Sequence, residues 1–403
     1  MPTVKFLTLG CKVNQYDTQS IRERFLERGF REERGRVKSD FYLINTCTVT
    51  ASADQKSRGM IRRCINENPK AKVIVTGCMV RKDKSKLAEI KGVSLIIGKS
   101  FFSEGISDFC SHTRAFLKIQ DGCDNFCAYC KVPLARGSSR SRPLNEVAEE
   151  ARRLAGNGFK EIVLTGICLG AYGRDLSPKT SLAEAISTLE KIDGIIRIRL
   201  SSIEAGDVTA ALIDKMSASK KLCPHLHIPI QSGDDEILKK MRRSYSRSFY
   251  LKLIRRIRNK IPHLAITTDC LIGFPGEEEK HFRNTLDLVK KILPLKVHIF
   301  PYSAREGTLA YSKQPFNIPV FAVKERIAIL KKAAGSSAKA YKERFLRKKL
   351  PVLFEARPKE AKGYWEGYSD NYIKVLYKSK NNLKNKVVSV RLKELSGDAV
   401  LAS

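Results

Sequence analysis

The chain has 403 residues, 42% of them hydrophobic and 29% charged, a composition that excludes wholesale disorder and allows two or three domains. Lys and Arg outnumber Asp and Glu by 75 to 42, and the resulting net charge of +33 favours a polyanionic partner such as nucleic acid. The sequence has no apolar run of about 18 residues and no secretory signal at its start, so we expect a cytoplasmic protein without a membrane partner.

Three apolar runs in the first segment each end in a cysteine: Val4–Cys11, Asp40–Cys47 and Lys72–Cys78. If these runs are strands of one parallel sheet, their terminal thiols lie along one edge, where such sheets bind ligands. The alternative is three buried core cysteines. Eleven cysteines without an export signal favour metal binding or catalysis over disulfides.

A helix is predicted after the first run. Asp17 is a candidate N-cap, Ile21, Phe25 and Leu26 supply an apolar face, and Gly29 is placed to end the helix.

From about Ala115 the sequence alternates between strand-like and helical patterns. The six strand-like runs are Phe116–Gln120, Glu161–Gly166, Arg197–Ser201, His225–Ile230, Ala265–Ile272 and Val297–Phe300. The helical patterns between them are Leu144–Leu154, Ser181–Ile192, Asp234–Met241, Ser248–Lys260 and Glu278–Ile292. Six β/α units predict an incomplete barrel of parallel strands, with its chemistry in the polar loops that follow the strands.

The last part of the chain changes character. A basic helical stretch at Val323–Lys349 precedes short alternating runs in Leu350–Ser403, which predict a small all-β barrel. Aromatic residues interleaved with basic ones are suited to stacking on single-stranded RNA, or they pack the β core. These aromatic residues are Tyr364, Trp365, Tyr368, Tyr372 and Tyr377.

The segment Cys123–Cys130 reads C-D-N-F-C-A-Y-C directly after the first predicted barrel strand. Three thiolates at this C-x3-C-x2-C spacing hold three irons of a four-iron cluster and leave the fourth iron open. A zinc site would need a fourth ligand, and Cys110 and His112 are poorly placed to supply it.

This motif, with Tyr129 before its last cysteine, resembles that of the radical S-adenosylmethionine (SAM) enzymes. Further motifs resemble the methylthiotransferases among them, and the C-terminal segment resembles a TRAM domain, an OB-like RNA-binding barrel. The motifs are L-G-C-K-V-N-Q-Y-D-T (Leu9–Thr18), I-N-T-C-T-V-T (Ile44–Thr50), T-G-C (Thr76–Cys78), L-T-G-I-C-L-G-A-Y-G (Leu164–Gly173), R-L-S-S-I-E (Arg199–Glu204), P-I-Q-S-G (Pro229–Gly233), T-D-C-L-I-G-F-P-G-E (Thr268–Glu277) and F-P-Y-S-A-R-E-G-T (Phe300–Thr308).

The resemblance implies an α/β protein of three domains. These are an N-terminal parallel-sheet methylthiotransferase domain (1–113), a central incomplete (β/α)6 radical SAM barrel (114–345) and a C-terminal OB-like TRAM barrel (346–403). It also implies two [4Fe-4S] clusters and SAM as cofactors. The cluster that binds SAM would be held by Cys123, Cys127 and Cys130, and the auxiliary cluster, which presents the sulfur, by Cys11, Cys47 and Cys78.

Beyond these cluster ligands we assign no catalytic residue. Candidate SAM contacts are Tyr129, Gly166, Glu204 and Gln231. The alternative is a hydrogen bond that stiffens a loop, and it applies to Gly166, Glu204 and Gln231. The same two roles, SAM contact or loop stiffening, are open for Asp269 and Arg305. The remaining cysteines match no ligand pattern and are interpreted as structural, with Cys168 given no role; they are Cys64, Cys110, Cys168, Cys223 and Cys270.

The resemblance implies a substrate in one of three classes. The segment from Cys11 to Thr18 most resembles the branch that methylthiolates C2 of N6-threonylcarbamoyladenosine at position 37 of tRNA, beside the anticodon. The alternatives are N6-isopentenyladenosine at that position and an aspartate of a small-subunit ribosomal protein. Expected partners are the tRNA anticodon loop and an electron donor and a sulfur donor of unknown identity.

Two other classes of protein remain open, a radical methylase and a non-catalytic RNA-binding protein with structural metal. The basic stretches Lys239–Lys260 and Lys324–Lys349 are candidates for binding RNA phosphates. The alternative for each stretch is a solvated helix face.

Overall fold

The computed structural model describes residues 1–35, 37–98, 105–109, 112–312 and 318–403. Within these residues no helix is long and apolar enough to cross a bilayer.

The N-terminal segment is a parallel sheet with helices packed against it. Its strands are β1 (Thr3–Thr8), β2 (Arg31–Glu32), β3 (Phe41–Thr46), β4 (Lys72–Gly77) and β5 (Val93–Ile96). Its helices are α1 (Lys12–Glu27), α2 (Ala51–Glu67) and α3 (Val80–Ala88). The strands pair in the order β2-β1-β3-β4-β5, all parallel, so β1, β3 and β4 are neighbours whose carboxyl ends share one edge.

The central segment supplies six parallel strands and a small two-stranded ribbon. The strands are β6 (Arg114–Lys118), β7 (Gln120–Asp121), β8 (Arg140–Ser141), β9 (Glu161–Thr165), β10 (Arg197–Leu200), β11 (His225–His227), β12 (Ala265–Ile272) and β13 (Lys296–Pro301). β6, β9 and β10 form one parallel sheet and β11, β12 and β13 another. Bridges from Ile198 to Leu222 and from Ser202 to His227 join the two sheets into an open barrel.

Helices surround the barrel and bury its outer face. They are α4 (Val132–Arg136), α5 (Leu144–Gly156), α6 (Leu182–Glu190), α7 (Ala210–Ala218), α8 (Asp235–Lys240), α9 (Arg247–Lys260), α10 (Glu279–Ile292) and α11 (Leu309–Ser312). On β12, Ile266, Cys270 and Ile272 belong to the core beneath these helices. Because successive side chains of a strand alternate, Thr267 and Asp269 point to the inside of the barrel.

A long helix, α12 (Val320–Glu343), leads to a closed five-stranded barrel at the C-terminus. Its strands are β14 (Lys349–Ala356), β15 (Tyr364–Ser369), β16 (Lys374–Lys378), β17 (Val387–Ser396) and β18 (Ala399–Ala402), in the order β14-β15-β16-β18-β17. The predicted fold class is therefore confirmed. The domain limits 1–113, 114–345 and 346–403 stay a prediction; β6 begins at Arg114.

The predicted start of α1 was wrong. Cys11 is the N-cap, and Asp17 lies in the second turn, where its carboxylate pairs with Lys118 at 2.5 Å. Leu26 of the predicted apolar face is 41% exposed, whereas Tyr16 is buried in the core of the central barrel. The helix packs against β6, a contact between distant segments that local periodicity does not encode.

The predicted basic helix was too long at its C-terminal end. α12 stops at Glu343, and Lys349 already belongs to β14. Arg347 has a positive φ of 66° and donates its backbone N–H to Leu392 at 2.7 Å, so the chain turns there into strand pairing.

Several of the aromatic residues that could stack on RNA or pack the protein interior do the latter. Trp365 is 6% exposed and belongs to the C-terminal core. Tyr368 and Tyr372 stack on each other at 5.1 Å, and the Arg114 guanidinium lies 5.0 Å from the Tyr368 ring. This pair faces β6, so it contributes to docking the C-terminal barrel onto the central one.

Candidate active site between two cysteine triads

The structure brings Cys11, Cys47 and Cys78, the N-terminal triad, to one edge of the parallel sheet. Each residue lies just beyond the carboxyl end of β1, β3 or β4. Burial raises the pKa of Cys47 to about 11, and the neighbouring Cys78 and Cys11 thiols add to the rise. The three thiols are thus mutual neighbours although they are far apart in sequence.

Gly10 allows this close approach. Its φ is +105°, and a Cβ at this position would lie 3.0 Å from Cys47 Cβ and 3.1 Å from Cys47 Sγ. A larger residue would push the Cys11 loop away from Cys47, since real Cβ atoms rarely approach so closely.

Asn14 and Arg136 stabilise the loops that carry the N-terminal triad. The Asn14 amide donates to the carbonyls of Leu9 and Thr46 at 2.7 and 3.0 Å, which ties two of the cysteine loops together. Its Oδ1 accepts from Cys78 Sγ at 3.6 Å and from Arg136 Nη2 at 2.5 Å.

The Arg136 guanidinium is fully buried and also donates to Asp121 at 2.6 Å. Burial opposes its charge, but nearby Cys78 and Asp121 outweigh burial and hold its pKa well above the usual range. Arg136 therefore offers a fixed positive charge that favours thiolates in the triad.

Cys123, Cys127 and Cys130, the barrel triad, lie on the loop between β7 and α4. Burial raises the pKa of Cys130 to about 12, and the adjacent Cys127 and Cys123 raise it further. Gly122 makes the loop's first turn: its φ is +72°, and a Cβ there would lie 1.9 Å from the Ser138 carbonyl oxygen.

The donor sets of the triads indicate which metal group they fit. Within the described part of the chain, the one group whose ligand atoms all lie within 4.8 Å is His227, Asp269 and His298. Three thiolates with no fourth cysteine in either motif are the ligands of a four-iron cluster with one open iron.

Arg243 links the barrel triad to Glu204, a link that the sequence analysis missed. Its guanidinium is 3% exposed, donates to Cys127 Sγ at 3.3 Å and pairs with the Glu204 carboxylate. Burial raises the pKa of Glu204, and Arg243 opposes the rise. The sequence offers only a weak indication of this ion pair, because Arg243 lies within a basic stretch and its partner Glu204 is 39 residues away.

Of the other predicted SAM contacts, Tyr129 touches this pair, whereas Gly166 and Gln231 contact other residues. Tyr129 packs against Phe274 at 6.5 Å, and its hydroxyl accepts from Arg243 at 3.5 Å. Gly166 lies against Gln120, where a Cβ would meet Oε1 at 2.9 Å. Gln231 has a positive φ of 63° and donates its backbone N–H to the Asp269 carbonyl at 2.9 Å. Their assignment to SAM stays a prediction.

Cys168 lies against the barrel triad. Its thiol hydrogen-bonds to Cys123, a contact that lowers the pKa of Cys123 and raises that of Cys168. Asn125 donates to its sulfur at 3.6 Å. Cys64, Cys223 and Cys270 are buried away from both triads, and Cys110 lies outside the described residues.

Polar contacts join the N-terminal segment to the barrel between the triads. Lys131, next to Cys130, donates to Thr48, next to Cys47, at 3.2 Å. Arg305 donates to Thr48 at 3.1 Å and pairs with Asp54 at 2.7 Å. Arg305 thus holds the two segments together, the structural role left open for it.

A polar cluster lines the inside of the barrel. Asp269 and His298 are register partners on β12 and β13, and His227 Nε2 lies 3.2 Å from Asp269 Oδ1. Burial lowers the pKa of His298, and Asp269 opposes the decrease. Asp269 was a candidate from its place in the sequence, whereas neither histidine was predicted to belong to a site.

The family comparisons match two parts of the chain. Residues 117–289 match the radical SAM superfamily, and residues 3–98 match uncharacterized protein family UPF0004. A solved radical S-adenosylmethionine methyltransferase, TsrM from Kitasatospora setae, shares the fold with a TM-score of 0.56 at 13% identity, covering 77% of each chain.

Curated relatives match nearly the full length. The threonylcarbamoyladenosine tRNA methylthiotransferase MtaB of Bacillus subtilis is 38% identical over 97% of this chain and 94% of its own. The MtaB of Thermotoga maritima is 36% identical over 100% and 97%. The tRNA-2-methylthio-N(6)-dimethylallyladenosine synthase of Clostridium tetani is 33% identical over 96% and 92%. The chain is an enzyme that works with SAM and [4Fe-4S] clusters, and it belongs to the radical SAM methylthiotransferase family.

Proposed function

We propose that the chain adds a methylthio group to C2 of N6-threonylcarbamoyladenosine at position 37 of tRNA, beside the anticodon. The observation that carries the proposal is the pair of cysteine triads, joined by Lys131 and Arg305, in a chain 38% identical to a protein named for this reaction. The net charge of +33 suits a tRNA substrate, and with this substrate we infer a cytoplasmic enzyme.

The barrel triad and the N-terminal triad would each hold one cluster. When bound, the barrel cluster supplies the electron that cleaves SAM to a carbon radical, and the auxiliary cluster supplies the sulfur. An electron donor and a sulfur donor are therefore required as partners. An anticodon loop is single-stranded, so little pairing energy opposes extrusion of its base into the barrel.

The chain's own residues provide position and charge. Arg243 and Glu204 form a buried ion pair against Cys127, a suitable place to orient the amino and carboxylate groups of SAM. Arg136 and Asn14 hold the N-terminal triad against the barrel. Lys131 and Arg305 fix the separation between the triads, which matters because sulfur must meet a short-lived substrate radical.

Replacing Cys47 tests whether the N-terminal triad is required for sulfur insertion but not for cleavage of SAM. We expect Cys47→Ala to abolish methylthiolation of a threonylcarbamoyl anticodon stem-loop, while anaerobic reductive cleavage of SAM to 5′-deoxyadenosine continues. Cys64→Ala is the matched control, because Cys64 is buried in the same sheet domain and its pKa is likewise raised by burial to about 11. Product masses separate methylthiolation from methylation. A Cys47→Ala enzyme that still inserts sulfur would contradict the proposal.

A further inference from the structure

In the His227–Asp269–His298 cluster, the side chain of His298 is available to hydrogen-bond to a ligand. Thr267 Oγ1 lies 2.9 Å from His227 Nδ1, and Asp269 lies 3.2 Å from its Nε2, so His227 is held on both sides. His298 is different: in the described part of the chain no residue hydrogen-bonds to either of its ring nitrogens. Its ring lies 5.7 Å from His227 and 6.4 Å from Phe300.

The cluster lies inside the barrel, on strands that also lead towards the barrel triad. Asp269 adds to the rise that burial causes in the pKa of Glu204, and Arg243, the partner of Glu204, donates to Cys127 Sγ at 3.3 Å. A substrate base that enters the barrel towards the barrel triad would therefore come close to this cluster.

The cluster is partly open to an occupant. The side chains of His227 and Asp269 are 16% and 25% exposed, and Phe300, which stacks on His298 at 18°, is 45% exposed. Ring N–H donors and a carboxylate acceptor thus face the space where the proposed substrate base would enter.

We propose that His298, supported by His227 and Asp269, hydrogen-bonds to the carboxylate-bearing threonylcarbamoyl group of the substrate and so selects it over an apolar dimethylallyl group. This inference rests on the proposed function and names the residues that set the substrate class. A threonylcarbamoyl group offers a carboxylate, a carbonyl and a hydroxyl as acceptors and N–H groups as donors to Asp269. A dimethylallyl group offers no acceptor, so it would leave these polar groups unpaired, which is costly.

Binding of chemically altered RNA tests the contact without relying on activity. Anaerobic fluorescence anisotropy would compare three anticodon stem-loops that carry threonylcarbamoyl adenosine, its carboxamide or dimethylallyl adenosine. We expect the reconstituted wild-type enzyme to bind the carboxylate RNA about 10-fold or more tighter than the carboxamide RNA. His298→Leu should bind both equally, and His298→Gln, which keeps an N–H donor, should restore part of the difference.

His263→Leu is the control, because His263 is exposed and precedes β12 at the opposite end of the barrel. Retention of carboxylate preference by His298→Leu would overturn the inference while leaving the proposed function intact. Wild-type binding that favours the dimethylallyl RNA, with methylthiolation of that RNA, would instead refute the proposed function. Stoichiometric zinc or manganese retained by the wild type and lost in His298→Leu would also overturn the inference, since the cluster would then hold a metal.

Discussion

At the residue scale, a buried arginine lies next to each cysteine triad. Arg136 is the neighbour of the N-terminal triad and Arg243 that of the barrel triad, and the side chains of both are 3% exposed or less. A buried cation lowers the cost of holding thiolates in a dry site. The grouping of the six cysteines into two triads was predictable from their spacing and family motifs, and their assignment as cluster ligands stays a prediction. The arginine contacts were not, because their partners are remote in sequence.

Gly10 provides a steric prediction at this scale. Gly10→Ala should lower the iron content of the reconstituted enzyme, because the new Cβ would displace Cys47. Gly29→Ala is the matched control: its φ is +79°, so it has similar backbone strain of about 1–2 kcal/mol, but nothing lies within 4 Å of its Cβ. Iron and sulfide analysis, with thermal unfolding to compare stability, measures the difference. Equal iron content in the two variants would be inconsistent with this role.

At the element scale, helix boundaries were predicted best where the helix covers its own barrel strand. Helix α9 (Arg247–Lys260) begins one residue before its predicted start and ends as predicted, because its apolar stripe faces the barrel. Helix α1 was misplaced because it packs on another segment through Tyr16 and Asp17. The pairing of β14 with β17 ends the basic helix early, and no local pattern encodes that pairing.

The basic face of α9 separates into structural and exposed arginines. Arg258 donates to the carbonyls of Ile292 and Leu293, and Arg256 donates to that of Val208, whereas Arg255 is exposed. A variant without all three charges would therefore lose these helix contacts together with any contact to RNA.

We therefore expect Arg255→Gln to reduce the salt dependence of RNA binding by about 0.7 in slope, with unchanged thermal stability. Arg258→Gln should instead lower the melting temperature. Anisotropy titrations across salt concentrations measure the first effect and calorimetry the second. An unchanged slope in Arg255→Gln would show that α9 is a solvated face.

At the scale of the whole molecule, one buried carboxylate organises the junction between the two barrels. Glu161 is fully buried and contacts Arg199 at 2.7 Å and Arg197 at 3.6 Å. The same arginines donate to carbonyls of the C-terminal barrel, Arg199 to Asp370 at 2.9 Å and Arg197 to Pro351 at 2.6 Å. The sequence predicted both barrels, but their docking depends on polar contacts across some 170 residues of chain.

Glu161 leads to a prediction with a defined pH dependence. Burial alone would raise its pKa, but Arg199 and Arg114 outweigh burial and hold the pKa below its ordinary value. Its carboxylate therefore stabilises the fold above the unfolded-state pKa of about 4.3, and this stabilisation is lost as the pH falls through the folded-state pKa. Glu161→Gln should cost about 3 kcal/mol at pH 7 by leaving buried arginines uncompensated.

Thermal unfolding from pH 7 down to about pH 2 measures this effect. The deficit of Glu161→Gln should stay constant above the unfolded-state pKa of about 4.3 and narrow only below it, where the wild type loses the stabilisation from its carboxylate charge. Asp214→Asn is the control, because Asp214 pairs with Lys260 at a half-exposed site where an ion pair contributes little. If the stability difference between Glu161→Gln and the wild type stayed constant over the whole pH range, the charge of Glu161 would not be what stabilises the junction.

The proposed function requires the two triads to act together in methylthiolating threonylcarbamoyladenosine in tRNA. Nucleoside mass spectrometry of total tRNA from cells with and without this gene tests it most directly. The proposed function predicts that the methylthio-threonylcarbamoyl nucleoside disappears while its unthiolated precursor accumulates, and that a gene copy carrying Cys47→Ala does not restore it. Loss of the methylthio-isopentenyl nucleoside instead, or an unchanged nucleoside profile, would contradict it.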